Sequence, residues 1–551
     1  MRFEIIKSTI QKIPFVNKIN KIEQREFSII GNVEILFEEL SEPIEFDFKI
    51  ENEYPLKSYN SESIAFSNID LLPYSHVMQS GNICIHTSHS TSIEEKLKID
   101  FNSLKAWIIK YYLNKEQDNN YEHIAVEESE ISNHKYSFIF TDVKKSFLKG
   151  EVGTVRLSLL NDGLHRESNM WNFYVQSFEA LRTKEITNCE WSDYYINQNT
   201  HLEGIYYFLE ESPAIHNRFA YSKWNELNFN STFLNMLFEI EQDNLKNKGK
   251  VIPLFIGYKI STHQIHWQVA LLEIGNFPLK GIPERVNDRK TGKWLTALNS
   301  SAIKWGFSRN SSYEYFFGRG KFSDILTKKK ILIIGIGAVG SMVAKTLTQC
   351  GCTRIDFVDY DIKEPENICR SEYRFANGIT NKSTELEKIL FEISPFVNST
   401  KLNNNYFEKL IKSFFSNEDY QQRFKKELEN YDLIIDCSTD NDLMYVLNYI
   451  QLETDLVNIS ITNHAKELIF AFNPNIYSFV NNQFSNILDN DVKNLYEPTG
   501  CWSPTFKGSY NDIASLVQLA LKHFNRIEKL EKAKNNFVIQ EVDNSLKIIE
   551  Y

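Results

Sequence analysis

The sequence predicts a multidomain protein of mixed class, with α/β and α+β parts, and three observations lead to this prediction. The chain has 551 residues, about three or four domains at roughly 100 to 200 residues each. Its first part shows alternating strand patterns followed by a helical pattern, and from about residue 300 strands and helices alternate around a glycine-rich turn. We therefore expect an α+β region at 1–150, a mixed middle region at 151–300 and an α/β region at 301–551.

Composition and charge exclude several classes of protein. Hydrophobic residues make up 42% and charged residues 24% of the chain, which is typical of a globular protein. The net charge is -11, so the chain lacks the excess of basic residues that is typical of a nucleic-acid binder. The absence of a signal-peptide pattern and of a run of about 18 apolar residues predicts a cytoplasmic protein without a membrane span. Seven scattered cysteines, with no C-x-x-C pair, disfavour both a four-cysteine zinc site and a disulfide framework.

The first region contains the patterns of two strands and one helix. Residues 27–37 and 44–50 alternate enough for antiparallel strands, and residues 99–112 have helical spacing. A polar stretch at 114–120 ends this pattern. The middle region is rich in Trp, Tyr and Phe and contains no catalytic motif that we can name.

A glycine-rich turn opens the α/β region. It lies between the apolar strand 331–334 and a helix, where Gly335 permits a tight turn, Gly337 lets a phosphate approach the backbone and Gly340 lets the helix pack on the strand. The helix N-terminus offers N–H donors to phosphate. Asp359 ends the next strand, near the spacing expected for a carboxylate that binds ribose hydroxyls. On these features alone, we would expect a dinucleotide-dependent oxidoreductase.

Four further elements change that expectation. In order, they are Asp359-Tyr-Asp361, the segment from Asn367 to Arg370, Lys382, and Asp440-Asn441 after a later apolar strand. This pattern resembles the signature of the ThiF, MoeB and ubiquitin-activating enzyme family: D-x-D, N-x-x-R, a lysine about a dozen residues on, and an acidic residue followed by Asn. The resemblance covers about 300–525 and implies a Rossmann-like domain that adenylates C-terminal carboxylates with ATP and Mg²⁺.

The resemblance also implies a role for each residue. It assigns Asp359 to the ribose, Asn367, Arg370 and Lys382 to the phosphates, and Asp440 to magnesium. These residue types suit the chemistry, because cations stabilise the charge that builds on phosphates during displacement. A carboxylate is a hard oxygen ligand suited to Mg²⁺.

Family members often supply an arginine ahead of the glycine turn, sometimes from the other subunit of a dimer. The resemblance therefore implies a homodimer, with Arg309 as the candidate and Arg319 as the alternative. Two departures are visible: Ser371 replaces the usual Gln after the arginine, and the zinc cysteines of several relatives are missing. Neither departure removes an adenylation residue.

One cysteine lies in a turn-rich loop of the C-terminal region. Cys501, within Pro498–Phe506, resembles the loop cysteine of activating enzymes, which implies that it takes the acyl group as a thioester. Loops with Gly and Pro expose a thiol, whereas Cys350, Cys352 and Cys437 sit in apolar contexts that favour the core. The alternative is that Cys501 is structural.

A second cysteine follows a short motif in the first region. Tyr54-Pro55, then His76, then Gly81-Asn-Ile-Cys84 resembles a ubiquitin-conjugating enzyme, in which Y-P, a histidine-proline-asparagine turn and G-x-I-C precede a crossing helix. The resemblance covers about 25–115 and implies that Cys84 is catalytic. His76 stands where the family has its asparagine, and an imidazole can also donate a hydrogen bond to an oxyanion. The alternatives are a buried strand cysteine and a core histidine.

The order of the three regions resembles the fused conjugating and activating enzymes of bacterial anti-phage CBASS operons. That resemblance implies adenylation of a protein C-terminus, a thioester on Cys501, transfer to Cys84 and attack by a target lysine. The activated protein would be a CBASS nucleotide cyclase or, alternatively, a bacterial ubiquitin-like protein. Two other classes are a sulfur-carrier adenylyltransferase, which the conjugating-like region disfavours, and a non-catalytic scaffold, which the adenylation residues disfavour.

Overall fold

Three larger β-sheets organise the chain in a computed structural model that describes residues 2–57, 61–85, 87–116, 128–165, 169–216, 218–260, 264–283, 294–462, 465–488, 508–543 and 545–551. They have four, eight and seven strands, in chain order. The expected mixed α/β, multidomain class is therefore confirmed. Within the described ranges, no helix combines the length and the apolar character that a bilayer crossing needs.

The N-terminal region is an antiparallel four-stranded meander with two helices. Its elements are α1 (Arg2–Gln11), β1 (Val16–Gln24), β2 (Ser28–Ile35), β3 (Ile44–Glu51), β4 (Ile64–Ser67) and α2 (Ile93–Trp107), with a 3-10 turn at Ile69–Leu71 and a π-helical turn at Ile108–Leu113. In β3 every second residue is buried, because successive side chains point to opposite faces of a strand. The segments predicted as strands correspond to β2 and β3, and the predicted helix falls in α2 and the π-helical turn that continues it.

The middle region is built on an eight-stranded mixed sheet. Its strands are β5 (Lys135–Phe140), β6 (Val152–His165), β7 (Met170–Ala180), β8 (Ile186–Asn188), β9 (Leu202–Glu210), β12 (Val251–Lys259), β13 (Ile265–Glu273) and β16 (Phe307–Asn310). The smaller elements are α3 (Asp193–Ile196), β10 (Ala214–Ile215), β11 (Phe219–Ala220), α4 (Ser231–Asp243), β14 (Leu279–Pro283), β15 (Trp294–Leu298) and 3-10 turns at Trp224–Glu226 and Leu245–Asn247. The strand order is β13-β12-β9-β6-β7-β5-β16, with β8 paired to β7.

This sheet crosses both boundaries expected from the sequence. β5 lies before residue 150 and β16 lies after residue 300, yet they pair with each other in parallel. The aromatic content of the region fills its core, where the rings of Phe178 and Trp267 stack at 4.5 Å. We propose a division into 2–113, 135–310 and 313–551 on the basis of these sheets.

The C-terminal region contains a seven-stranded sheet of order β18-β17-β19-β20-β21-β22-β23. Its strands are β17 (Lys330–Ile334), β18 (Arg354–Val358), β19 (Leu433–Asp436), β20 (Asp455–Thr462), β21 (Glu467–Phe472), β22 (Phe537–Val542) and β23 (Ser545–Glu550). Its helices are α5 (Tyr313–Phe317), α6 (Asp324–Thr327), α7 (Ala338–Gln349), α8 (Pro365–Ile368), α9 (Lys382–Ile393), α10 (Tyr406–Ser413), α11 (Glu418–Leu428), α12 (Asn441–Tyr449), α13 (Ile476–Leu488) and α14 (Tyr510–Lys529), with a 3-10 turn at Phe375–Asn377.

The first half of this sheet is parallel, as predicted from the alternation of strands and helices. β18, β17, β19 and β20 pair in parallel, and bridges from Arg354 to Asn398 and from Phe357 to Lys401 add a further parallel segment beside β18. One core holds α7, α9 and α14 on one face of the sheet, and a second core holds α10 to α13 on the other. This is the Rossmann-like, doubly wound arrangement.

The middle and C-terminal regions pack directly on each other. Ser192 N–H donates to the carbonyl of Pro395 at 2.8 Å, and the Tyr195 hydroxyl donates to the carbonyl of Phe391 at 2.8 Å. The rings of Tyr194 and Phe391 stack at 4.4 Å. The segment after α9 is therefore held by the middle region as well as by its own sheet.

Candidate active site

The three glycines of the turn have different surroundings. Gly335 has φ 74°, and a Cβ there would lie 2.6 Å from the Cα of Ser438. Gly340 lies in the first turn of α7, where a Cβ would collide with the carbonyl oxygen of Gly335. Gly337 is the N-cap of α7, and a Cβ there would meet nothing within 4 Å. Packing thus requires the first and third glycines, whereas the backbone at Gly337 is open to a ligand.

A cavity of about 590 Å³ opens at the carboxyl ends of β17, β18 and β19. Ligands of open α/β sheets bind at this edge. Three predicted residues, Gly335, Asp359 and Asp440, line it. The remaining lining is partly apolar and partly polar: Ile334, Val358, Phe407, Ile411, Leu443, Tyr360, Asp361, Asn404, Asn405, Glu408, Lys412 and Ser438.

The carboxylate of Asp359 connects β18 to the glycine turn. Its Oδ2 accepts the N–H of Ile336 at 2.8 Å, and its Oδ1 accepts the N–H of Asp361 at 2.8 Å. Burial raises the pKa of Asp359, although the charge of Lys382 and the two N–H donors oppose that shift. Asp359 therefore fixes the shape of the turn and also presents a carboxylate to the cavity, where the sequence predicted ribose binding.

Lys382 does not line the cavity itself but pairs with a residue that does. Its Nζ lies 2.8 Å from Oδ2 of Asp361, which is itself a lining residue, and its own side chain is buried. The predicted phosphate ligand is thus held at the edge of the site by an ion pair. An entering polyphosphate would compete with Asp361 for this ammonium group.

Asn367 and Arg370 lie on the segment between β18 and α9. Asn367 lies in the short helix α8, and its Oδ1 accepts the N–H of Glu364 at 2.9 Å. Ser371, which replaces the family's Gln, donates from Oγ to the carbonyl of Asn367 at 2.6 Å. Arg370 is half-buried next to it.

A buried ion pair braces this segment against α9. Nζ of Lys363 lies 2.5 Å from Oε2 of Glu385, and each side chain is only 1% exposed. The same Nζ donates to the carbonyl of Arg374 at 2.7 Å, and the N–H of Arg374 donates to Oε1 of Glu385 at 2.7 Å. The residues that carry Asn367 and Arg370 are therefore tied at both ends.

Asp440 is the N-cap of α12 at the cavity wall. Its Oδ1 accepts the N–H groups of Asp442 at 2.9 Å and of Leu443 at 3.0 Å, and Oδ2 makes no hydrogen bond within the described ranges. Within those ranges no cluster of three or more side chains could hold a metal ion. Mg²⁺ does not need such a cluster, since one or two carboxylates, waters and substrate phosphates suffice. Asp440 therefore fits a magnesium ligand.

The two arginines proposed for catalysis lie away from the cavity of their own chain. Arg309 is exposed on β16, where Nη2 lies 3.5 Å from Oε1 of Glu128 and Nη1 donates to the carbonyl of Ser308 at 2.8 Å. Arg319 is exposed beyond the end of α5. Neither is a lining residue of the cavity. The action of either arginine on the site of a second subunit stays a prediction.

Cys84 and His76 share one turn in the N-terminal region. The N–H of Cys84 donates to the carbonyl of His76 at 2.8 Å, and Cys84 is half-buried. Burial raises the pKa of the Cys84 thiol. His76 has φ 59°, in the left-handed region, and its ring lies 4.5 Å from that of Tyr111.

The other cysteines are only partly described. Cys501 lies outside the described residues. Cys352 and Cys437 are buried, as expected for core positions, whereas Cys350 is only half-buried.

One wall of the cavity was not predicted from the sequence. Asn404, Asn405, Phe407 and Ile411 come from α10 and the residues before it. They follow the short segment 398–401 that bridges to β18, and the carboxyl ends of parallel strands meet at one edge of a sheet. Recognition of that segment as a strand would have identified this wall, but it is too short to stand out.

Residues 308–478 match the model of the ThiF family. The chain is 26% identical over 276 residues to the ATP-dependent ubiquitin transferase-like protein Cap2 of Enterobacter hormaechei subsp. hoffmannii. The matched stretch covers 48% of this chain and 44% of Cap2. It is also 29% identical over 127 residues to ubiquitin-like modifier-activating enzyme 5 of Dictyostelium discoideum, and this matched stretch covers 22% of this chain and 32% of that enzyme. The chain thus spans less than half of the length of each of these relatives.

Solved structures also match part of the chain. The crystal structure of E. coli MccB with ATP covers 41% of this chain and 64% of MccB, at 16% identity and a TM-score of 0.29. That score is too low to support an inference about function. The ThiF match and the resemblance to Cap2 confirm the family resemblance that the sequence motifs indicated.

Proposed function

With a ThiF-family domain at 308–478 as the premise, we propose that this protein activates the C-terminal carboxylate of another protein by adenylation with ATP. One observation carries the proposal. The glycine turn, Asp359 and Asp440 converge on a single cavity at the carboxyl edge of a parallel sheet. The turn offers backbone N–H groups to phosphates, and the two carboxylates suit a ribose and a magnesium ion.

The first step is a displacement at phosphorus. An oxygen of the C-terminal carboxylate attacks the α-phosphorus of ATP, a new O–P bond forms, and the bond to the β-phosphate oxygen breaks to release pyrophosphate. Arg370 and Lys382 stabilise the charge that builds on the phosphates, and Asn367 orients them. Asp440 holds the magnesium ion that accompanies the phosphates.

The acyl group then passes to thiols. A Cys501 thiolate attacks the acyl carbonyl and AMP leaves; the Cys84 thiolate next attacks that thioester and releases the Cys501 thiolate. The amine of a target lysine attacks the thioester on Cys84, which forms an amide, frees the thiolate and gives a proton to solvent. His76 donates a hydrogen bond to the oxyanion of this last step.

The N-terminal region is proposed to be conjugating-like. Its meander of four strands, the Cys84 turn and the following helix α2 come in the order that the family resemblance implies. The half-buried position of Cys84 supports access to its thiol from one side.

The favoured partner is the nucleotide cyclase of a CBASS operon, because the likeness to Cap2 extends over 48% of this chain. A bacterial ubiquitin-like protein is the alternative partner, since similarity to a ubiquitin-like modifier-activating enzyme is also present. The final acceptors would be lysines of target proteins.

The activity is testable by exchange of labelled pyrophosphate into ATP, with Mg²⁺ and the protein encoded beside this one. The Asp440→Ala variant should lose exchange by roughly 100-fold or more, because a group that stabilises the transition state is removed. Asp442→Ala is the matched control, since Asp442 is exposed on the same helix. Tight binding of a nicotinamide cofactor, with no binding of ATP, would contradict the proposal.

A further inference from the structure

The middle region contacts the turn that carries His76 through one guanidinium group. Nη1 of Arg218 donates to the carbonyl of Val77 at 3.2 Å, and Nη2 donates to the carbonyl of Leu72. These two carbonyls flank residues 73–76, so the planar guanidinium group of Arg218 bridges the two ends of the 72–77 turn.

Other donors hold the same turn from within the N-terminal region. Nε1 of Trp107 donates to the carbonyl of Ser75 at 3.1 Å, and the N–H of Cys84 donates to the carbonyl of His76 at 2.8 Å. His76 keeps a left-handed backbone, with φ 59°, which a residue with a side chain adopts only where its surroundings enforce it. The carbonyls at 72, 75, 76 and 77 are thus all engaged, and Arg218 supplies the donors at both ends.

Arg218 is held in place by contacts within the middle region. It lies in the hairpin of β10 and β11, in which Ala214 pairs with Ala220 and Ile215 pairs with Phe219. Its guanidinium also lies 5.1 Å from the centre of the Phe219 ring, whose side chain is buried. A stacked, forked guanidinium on a paired hairpin is pre-organised for its two acceptors.

We infer that Arg218 is a positioning residue of the Cys84 site: it fixes the 72–77 turn so that His76 stays beside Cys84. The conjugating-like region is then complete only when the middle region is docked on it. The catalytic meaning of this contact rests on the proposed function, but the contact and its effect on Cys84 do not.

The test uses the full chain and two probes that need no partner. These are the rate at which iodoacetamide alkylates Cys84, followed by peptide mass spectrometry, and hydrogen exchange of the segment 71–85. In Arg218→Ala both rates should rise by at least roughly 2- to 10-fold, because two hydrogen bonds are lost and the loss of either one alone gives a change in that range. Arg218→Lys should lie between this variant and the wild type, because an ammonium lacks the planar fork. Arg156→Ala is the control, since Arg156 pairs with Glu179 on the middle sheet.

The pH dependence of Cys84 alkylation distinguishes a residue that positions the turn from one that only joins the two regions. In the wild type, burial raises the pKa of Cys84, so alkylation should climb only at high pH. If Arg218 orders the turn, its removal opens the site and moves this rise to lower pH. If Arg218→Ala melts earlier but alkylates with the wild-type rate and profile, the residue only docks two regions and the inference is wrong.

The outcomes stay separate from those of the proposed function. Absence of pyrophosphate exchange in the wild type, with altered alkylation in Arg218→Ala, would remove the adenylation proposal alone. Normal exchange with unaltered alkylation in both Arg218 variants would remove the positioning proposal alone. Should Arg218→Ala fail to fold, Arg218→Lys keeps the charge and most of the stem, so the same comparison is made with that variant.

Discussion

Lys382 forms an ion pair with a residue of the cavity wall, and we propose that it also binds phosphate. Its Nζ is bound to Asp361 at 2.8 Å, and Asp361 lines the cavity. A polyphosphate carries more negative charge than one carboxylate, and it accepts charge-assisted hydrogen bonds. We propose that the ammonium group exchanges Asp361 for a phosphate oxygen when the nucleotide enters.

This exchange predicts a selective loss of chemistry. Lys382→Ala should lower the rate of pyrophosphate exchange on the order of 100-fold, the scale seen when one stabilising group is removed from a transition state. Lys388→Ala, on the exposed side of the same helix, should keep the wild-type rate. Equal rates in the two variants would show that the Asp361 pair is structural only.

At the scale of elements, β20 begins at a cluster of opposite charges. Asp455 lies 2.7 Å from Nζ of Lys329 and 2.6 Å from Nζ of Lys534, which joins the start of β17 to the segment before β22. Burial raises the pKa of Asp455, but the two lysines outweigh that effect and its pKa is lowered. A lowered pKa means that the folded state favours the ionised carboxylate.

The stability of the C-terminal region should therefore depend on pH through Asp455. The contribution is fully present above the ordinary pKa of aspartate, about 3.9, and is lost as pH falls through the lower pKa of the folded state. The free energy of unfolding of the wild type should exceed that of Asp455→Asn by a constant amount above about pH 5, and this excess should shrink as pH falls through the lowered pKa of the folded state. Urea titrations at each pH measure the difference, and a difference that stays constant down to the lowest pH at which both proteins fold would contradict the assignment.

Local patterns predicted the elements that are determined locally. The apolar run of β17, the glycine turn and the order of Asp359, Lys382 and Asp440 are visible in the sequence because each depends on neighbours in the chain. The pairing of β5 with β16 and the α10 wall were not predicted, since both depend on segments far apart in the chain that become adjacent only on folding. Arg218 was missed for the same reason: nothing in its own surroundings indicates that its acceptors are at 72 and 77.

At the scale of the whole molecule, large apolar side chains are exposed on the segment between β18 and α9. Tyr360 is 77% exposed, Phe375 81% and Ile379 69%. A group of large apolar side chains at one place on the surface is typical of an interaction site. Tyr360 also lines the cavity, and we propose that these side chains contact a second copy of the chain in a homodimer.

The proposed homodimer can be tested by its mass and by substitutions that should convert it to a monomer. Light scattering at micromolar concentration should give about twice the 64.5 kDa of one chain. Replacing Phe375 and Ile379 together by Asp should shift the protein to a monomer, because charge would be placed in an apolar interface. Phe415→Asp is the control, at a side chain that is 88% exposed after α10. A monomeric wild type with full activity would also rule out Arg309 as a residue that acts on the partner's site.

The parallel pair of β5 and β16 has a consequence for the order in which the chain folds. β5 is complete at residue 140, but its partner ends only at residue 310. During synthesis, one edge of β5 therefore stays unpaired until β16 emerges about 170 residues later, after the N-terminal region has had time to fold. Long-range parallel pairing forms slowly, and an unpaired edge can bind the wrong strand in the interval. A fragment that ends at residue 300 would lack β16 and leave that edge of β5 unpaired, so the sheet of the middle region is completed only by residues that lie just before the C-terminal region.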